Sequence, residues 1–342
     1  MQRLKGTVPR RMVKCALIGY GYWGPNLARN IYEARDCDLV YICDSVEERL
    51  KKAKEKFPLV DVTRFSSTIF EDDRIEAVFI ATPIASHYEL ARTALLSNKD
   101  VFVEKPVTNS VRDAEALIEL ALGNKRILMV GHTFEYSPPV LKVKELLKKG
   151  ELGEVLFISS TRVNLGIHQR DVSVVWDLAP HDISILLNWL EEEPSSMHVV
   201  GRGCFMAEVP DVAFLSMRFP SGVIANIEVS WLSPTKLRRT TVVGAKKMLV
   251  YDDTEHLEKI RVFDKGVIFK EPEDFGEFQL SYRTGNVLSP FLENYEPLQA
   301  EVLHFLDCVT NRKTPKTDGQ CGLRVVRALE MAEKSLNEGR RL

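Results

Sequence analysis

Apolar residues in the first third of the chain fall into short, nearly continuous runs, at residues 13–18, 38–43, 77–81, 100–103 and 127–131. A strand covered on both faces has this pattern, because neither face meets water. The stretches between them, 25–34, 46–57, 87–97 and 110–122, carry apolar residues at helical spacing. Strand and helix in alternation predict a doubly wound parallel sheet. The expected unit is an α/β domain over residues 1–131.

After Pro138-Pro139 the pattern changes. One more helix, 140–149, is closed by Gly150, and 155–163 and a helix at 180–190 follow. Strands are then expected at 198–205, 212–219, 223–231, 239–243, 248–251 and 260–263. Their turns are signalled by Pro220-Ser221-Gly222, Gly244-Ala245-Lys246 and Asp264-Lys265-Gly266. Consecutive strands joined by tight turns predict an antiparallel sheet. Amphipathic helices at 297–310 and 319–336 complete an α+β domain over residues 132–342.

Composition narrows the function classes. Lys plus Arg is 46 against 48 for Asp plus Glu, a net charge of -2, so there is no basic field for a nucleic-acid backbone. The six cysteines (15, 37, 43, 204, 308 and 321) form no CxxC pair and no metal-ligand spacing. They are expected to be reduced and mostly in the core of a cytoplasmic protein that holds no metal. No apolar run approaches the ~20 residues of a membrane helix. The basic start, Met1 to Met12, lacks the apolar stretch of a signal peptide and reads as a loose leader.

The first strand runs into Gly19-Tyr20-Gly21-Tyr22-Trp23-Gly24, with Pro25 where a helix should begin. GxGxxG alone is a weak signal; between a strand and a helix it matches a dinucleotide cradle. Gly19 allows the tight turn, Gly21 lets the backbone approach a pyrophosphate, and Gly24 lets helix and strand pack closely. The helix N-terminus then offers free N–H groups to the diphosphate. Asp44 ends the second strand, where an acid binds the adenosine ribose and repels a 2′-phosphate. Asp44 with Ser45 therefore favours NAD over NADP, and Arg49 works against that preference. Thr82 and Pro83, at the carboxyl end of the 77–81 strand, are expected beside the cofactor. His87 is either a further cofactor neighbour or an ordinary first-turn helix residue.

Two other groups carry chemistry. Glu104-Lys105-Pro106 ends the 100–103 strand, and Pro106 biases Lys105 to an extended conformation. Lys105 then points to the cofactor crevice, or is a plain surface lysine. In Trp176-Asp177-Leu178-Ala179-Pro180-His181, Pro180 fits the first position of a helix, with His181 in its first turn. The helix dipole there disfavours an imidazolium, and a neutral imidazole can accept a proton. Asp177, just outside the helix, orients the imidazole, touches substrate or merely caps the helix.

With these motifs in order, the chain resembles the Gfo/Idh/MocA family of sugar and cyclitol oxidoreductases over nearly its whole length, from about Val13 to Leu336. The resemblance implies a Rossmann domain and an open-faced antiparallel sheet whose bare face forms a homodimer or homotetramer interface. It implies that Lys105 contacts the substrate hydroxyl and the nicotinamide ribose, with Asp177 and His181 as acid/base positions. The cofactor site would comprise Gly19, Tyr20, Gly21, Tyr22, Trp23, Gly24, Asp44, Ser45, Arg49, Thr82, Pro83, His87, Glu104, Lys105 and Trp176. Within the family the chain is similar to UDP-N-acetylglucosamine and UDP-N-acetylglucosaminuronate 3-dehydrogenases, which make a 3-keto sugar.

For a UDP-sugar, Arg162, Asn164 and the polar loop Tyr282-Arg283-Thr284-Gly285-Asn286 are candidate contacts, since a diphosphate needs such donors. Either His181 is the base while Lys105 holds the hydroxyl, or Lys105 is itself the base; the sequence leaves both open. Two rivals remain: a dehydrogenase of a free sugar or inositol, and a non-catalytic dinucleotide-sensing regulator, which would need neither Lys105 nor His181.

Overall fold

The computed structural model describes residues 11–166, 172–269 and 280–339, and only the backbone of 267–269 and 280–282. The chain forms two compact units. The first comprises Met1–Thr133 and Tyr295–Val326, and the second comprises Phe134–Asn294 and Arg327–Leu342. The division after residue 133 lies two residues beyond the expected boundary at 131. Residues 295–326, however, were expected in the second domain and belong to the first.

The first unit begins β1 (Val13–Ile18), α1 (Gly24–Glu33), β2 (Cys37–Cys43), α2 (Glu47–Lys56), β3 (Asp61–Thr63) and α3 (Ser67–Glu71). It continues β4 (Ala77–Ile80), α4 (His87–Leu96), β5 (Asp100–Glu104), α5 (Val111–Gly123) and β6 (Leu128–Gly131). The sheet order is β3-β2-β1-β4-β5-β6, and every pair is parallel. All residues of β4, β5 and β6 are buried, which explains their nearly continuous apolar runs. The order reverses between β1 and β4, and ligands of such sheets bind at the strand carboxyl ends beside that point.

The second unit contains α6 (Pro138–Lys148), β7 (Val155–Leu165), α7 (Val174–Leu190), β8 (Ser196–Arg202), β9 (Val212–Arg218) and β10 (Ile224–Ser230). β11 (Leu232–Gly244), β12 (Met248–Asp252), β13 (Ile260–Phe269) and β14 (Leu280–Leu288) follow. Their order is β14-β13-β12-β11-β7-β10-β9-β8. All neighbours are antiparallel except β7 and β10, which run parallel. The sheet is thus mixed where an antiparallel one was expected. The cause is that β10 and β11, consecutive in the chain, flank β7 instead of pairing. Trp231, the single residue between them, crosses the end of β7 and accepts a hydrogen bond from Gly166 N–H (3.0 Å). A Cβ on Gly166 would lie 2.6 Å from the Trp231 ring, so only glycine fits under this crossing.

One face of this sheet, with Ile158, Leu215 and Ile227, packs beneath α7. The other carries the exposed Phe157, Val200, Phe214 and Ile224. The sequence alone suggests Phe214, Ile227 and Trp231 as outward-facing residues of this sheet, and only Phe214 faces outward. Ile227 pairs with Leu215, on the buried face, and Trp231 is buried.

Two further expectations are corrected. α7 starts at Val174, six residues before Pro180, so Pro180 is inside the helix and His181 lies beyond its first turn. Asp177 is in the first turn rather than outside, its N–H donating to Ser173 O (3.0 Å). The interior proline removes one helix hydrogen bond; complete burial of Val174 and Val175 offsets that loss. Second, residues 282–286 are no loop: they belong to edge strand β14, paired with β13. Arg283 forms an ion pair with Asp264 (3.0 Å) there. The side chain of Tyr282 lies outside the described residues, as do residues 1–10 of the expected leader.

The chain then forms α8 (Pro297–Asn311) and α9 (Gly319–Gly339). Phe305 of α8 packs edge-on against Phe79 and Phe102, with centroids 5.0 and 5.8 Å away. Glu296 pairs with Arg29 (2.5 Å), and Arg312 pairs with the buried Asp100 (2.9 Å). All six cysteines are free, with Cys204 exposed.

Candidate active site

The turn from β1 into α1 is shaped by what glycine alone permits. Gly19 has φ +100°, and a Cβ there would lie 2.4 Å from Ala81 O. A Cβ on Gly24 would lie 2.3 Å from Gly19 O, whereas one on Gly21 would meet only the Arg49 guanidinium at 3.8 Å. The turn is therefore closed beneath Gly19 and Gly24 and open above Gly21, where a pyrophosphate needs room. Tyr20 is buried; Tyr22 and Trp23 are exposed. Asp44 is buried, and its Oδ2 accepts from Tyr20 N–H (2.7 Å) while Oδ1 accepts from Val46 N–H (2.9 Å). Arg49, on the solvent side, reaches the same carboxylate at 3.4 Å, and Ser45 beside it is exposed.

The loop after β4 holds Thr82 half-buried and Pro83 exposed. His87 begins α4 and is fully buried, with Nε2 2.8 Å from Thr82 O and Nδ1 2.8 Å from Pro106 O. Burial pushes its pKa down. Both ring nitrogens are occupied by these two carbonyls, so His87 ties the loop after β4 to the loop after β5. Its ring does not present a nitrogen to a cofactor.

Glu104 and Lys105 stand at the carboxyl end of β5, and Lys105 is half-buried. Burial pushes the Glu104 carboxyl up to about 7, against the opposing effects of Lys105 and of the Trp23 side chain. His132 follows β6 and was not singled out from the sequence. It is buried, and burial with the nearby Lys105 charge lowers its pKa to about 3. Neither of its ring nitrogens has a hydrogen-bond partner among the described residues. A glycine turn open at Gly21 and unpaired buried nitrogens at the same sheet end fit a nicotinamide dinucleotide.

In the second unit, Asp177 and His181 are four residues apart on α7 and so share a face. Asp177 Oδ2 accepts from the Trp231 indole N–H (3.0 Å). The His181 ring lies edge-on to Phe134, 5.1 Å between centroids. Phe134 also carries Arg162, whose guanidinium is 4.6 Å from the ring centre. Arg162, expected at the substrate, is buried and bound to Asp182 by Nε (2.5 Å) and Nη2 (3.3 Å). Burial works against its charge, and Asp182 more than restores it. Ser160 Oγ donates to the same carboxylate (2.8 Å). Asn164 is half-buried two residues along β7, on the same face as Arg162. Trp176 donates its indole N–H to Glu333 (3.3 Å).

The parallel sheet, the glycine turn with its acid and the Glu-Lys-Pro strand end define an NAD-dependent oxidoreductase. Residues 13–132 match the model of the oxidoreductase family with an NAD-binding Rossmann fold, and residues 140–250 match the GFO/IDH/MocA C-terminal domain. The chain belongs to the Gfo/Idh/MocA family of NAD-dependent sugar and polyol dehydrogenases. It is 26% identical to scyllo-inositol 2-dehydrogenase (NAD(+)) of Bacillus subtilis strain 168, over 89% of this chain and 88% of the relative. It is 22% identical to UDP-N-acetylglucosamine 3-dehydrogenase of Acidithiobacillus ferrooxidans, over 92% and 95%. A solved structure of that Acidithiobacillus ferrooxidans enzyme superimposes with a TM-score of 0.79 at 21% identity, over 96% and 98% of the two chains. Among the described residues no helix is long and apolar enough to cross a membrane, and no cluster of side chains could hold a metal.

Proposed function

We propose that this enzyme is a cytoplasmic, homo-oligomeric dehydrogenase that oxidises the 3-hydroxyl of a UDP-N-acetylglucosamine-type nucleotide sugar to a ketone. The observation that carries the reading is the carboxylate and imidazole on one face of α7, each braced by an aromatic residue. Oxidising an alcohol requires removal of the hydroxyl proton, and a positioned imidazole is suited to accept it. His181 is assigned that step and Lys105 the hydrogen bond to the hydroxyl oxygen; Asp177 orients the imidazole. NAD, when bound, supplies the acceptor for the hydride. The turn at Gly19–Gly24, with Asp44, holds its adenosine and diphosphate parts.

The choice of a UDP-sugar is supported by the Acidithiobacillus ferrooxidans relative. A free cyclitol is the second reading. It is favoured by Arg162, which Asp182 withholds from any diphosphate, and by the inositol dehydrogenase relative.

The test is reduction of NAD followed by absorbance, with UDP-N-acetylglucosamine and scyllo-inositol as separate substrates. Turnover of the first supports the proposal, and turnover of the inositol alone transfers it to the second reading. On the true substrate, Lys105→Ala and His181→Asn should each cut kcat by roughly 100- to 10,000-fold while NAD binding is kept. Their effects should not add, because groups sharing one proton fail together. Near-normal kcat in both variants would refute the assignment.

A further inference from the structure

We propose that Trp231 is a positioning residue, which fixes the Asp177 carboxylate on the catalytic face of α7 through its indole N–H. The inference rests on the acid/base reading of α7 and extends it to a residue from the strand crossover. Trp231 is held at three points. Its backbone N–H donates to Asp211 O (2.9 Å), its carbonyl accepts from Gly166 N–H (3.0 Å), and its indole N–H donates to Asp177 Oδ2 (3.0 Å). It is 1% exposed and among the largest fully buried side chains. Gly166 leaves no room for a Cβ above the ring, which closes the space through which the indole would otherwise swing. A donor so constrained is held towards the Asp177 carboxylate.

The placement follows from topology. β10 runs parallel to β7 and β11 runs antiparallel to it, so the chain must turn across the end of β7 in a single residue. That residue sits beside the first turn of α7, which packs on the same sheet face. A hydrogen bond to a charged acceptor is stronger than one between neutral groups, and the buried indole shields its side of the bond from competing water. Phenylalanine keeps the aromatic bulk of Trp231 but lacks the donor.

Two measurements test the proposal. In the first, Trp231→Phe should lower kcat/KM for UDP-N-acetylglucosamine by about tenfold or more. NAD affinity should stay close to the parent's, and the thermal midpoint should fall by only a few degrees, as the loss of one hydrogen bond and a small cavity requires. In an Asp177→Ala background the same substitution should cost nothing further, because a residue acting through Asp177 has nothing left to position. Full activity of Trp231→Phe, or an undiminished further loss in the Asp177→Ala background, overturns the proposal. In the second, the Trp231 indole N–H resonance is identified as the one missing in Trp231→Phe. It should shift upfield in Asp177→Ala, and an unmoved resonance also overturns the proposal. If UDP-N-acetylglucosamine is not oxidised, the substrate reading fails separately. The kinetic cycle is then run on scyllo-inositol, and the resonance decides the contact without any turnover.

Discussion

Tyr20 donates its backbone N–H to Oδ2 of Asp44 at 2.7 Å, so the acid ending β2 braces the glycine turn that ends β1. The same carboxylate has lone pairs left for a ribose hydroxyl, and it would repel a 2′-phosphate. NAD should therefore bind more tightly than NADP. Asp44→Ala should weaken NAD by about tenfold or more, because a charged acceptor of two N–H groups is lost. It should also narrow the preference over NADP. Titration calorimetry with both cofactors checks this; equal or tighter NADP binding by the parent would mean that Arg49 overrides the acid.

His87 contacts Thr82 O and Pro106 O with its two ring nitrogens, and a neutral imidazole can donate to only one of them. His87→Phe would remove the one hydrogen bond that the neutral ring donates and leave that carbonyl without its partner. Stability in urea should fall by about 1–3 kcal/mol, and NAD affinity should fall with it, since both loops end strands of the cofactor sheet. Unchanged stability would show that the ring is no strut.

Glu104 and His132 should pull stability in opposite directions with pH. The folded chain keeps the Glu104 proton up to about 7, while an ordinary glutamate releases it near 4.5. This contribution is complete below 4.5 and lost as pH rises through 7. His132 stays neutral down to about 3, while an ordinary histidine protonates near 6.5. Its contribution is present above 6.5 and lost as pH falls towards 3. Between 4.5 and 6.5 the two slopes oppose. Glu104→Gln removes one of them, so the variant should gain stability relative to the parent across that window, by up to about 1.4 kcal/mol per pH unit. Urea unfolding at about pH 4.5 and about pH 6.5 measures it; parallel behaviour of parent and variant would remove Glu104 as a buried acid.

On the open face of the second sheet, Phe214 pairs with Val200 and Ile224 pairs with Phe157, all exposed. Adjacent apolar side chains on one face favour burial against another surface. Light scattering should give a dimer or tetramer at micromolar concentration, and Phe214→Asp should shift it towards smaller species. A monomeric parent would contradict this.

The glycine turn was legible because its requirements are local: the conformation at Gly19 and the close approach at Gly24 admit no other residue. Strand and helix order was legible for the same reason, since each buried strand carries its own apolar run. What escaped depends on partners distant in sequence. Arg162 reads as a ligand for a phosphate until Asp182 is found beside it. The edge strand β14 reads as a loop because edge positions tolerate Arg283, Thr284 and Asn286. Pro180 reads as a helix start because the burial that carries α7 past it, at Val174 and Val175, is tertiary. His132 and Trp231 gave no signal at all: a lone histidine after a strand and a tryptophan in a corner have no spacing to mark them.

The return of residues 295–326 to the first unit makes that unit late to complete during synthesis. Arg29 and its partner Glu296 lie 267 positions apart, and Phe305 fills the aromatic cluster around Phe79 and Phe102. A ribosome must therefore deliver nearly the whole polypeptide before the nucleotide sheet can close its core, and so distant a closure slows folding. A nascent chain halted after residue 294 would carry its glycine turn without the helix that covers that cluster.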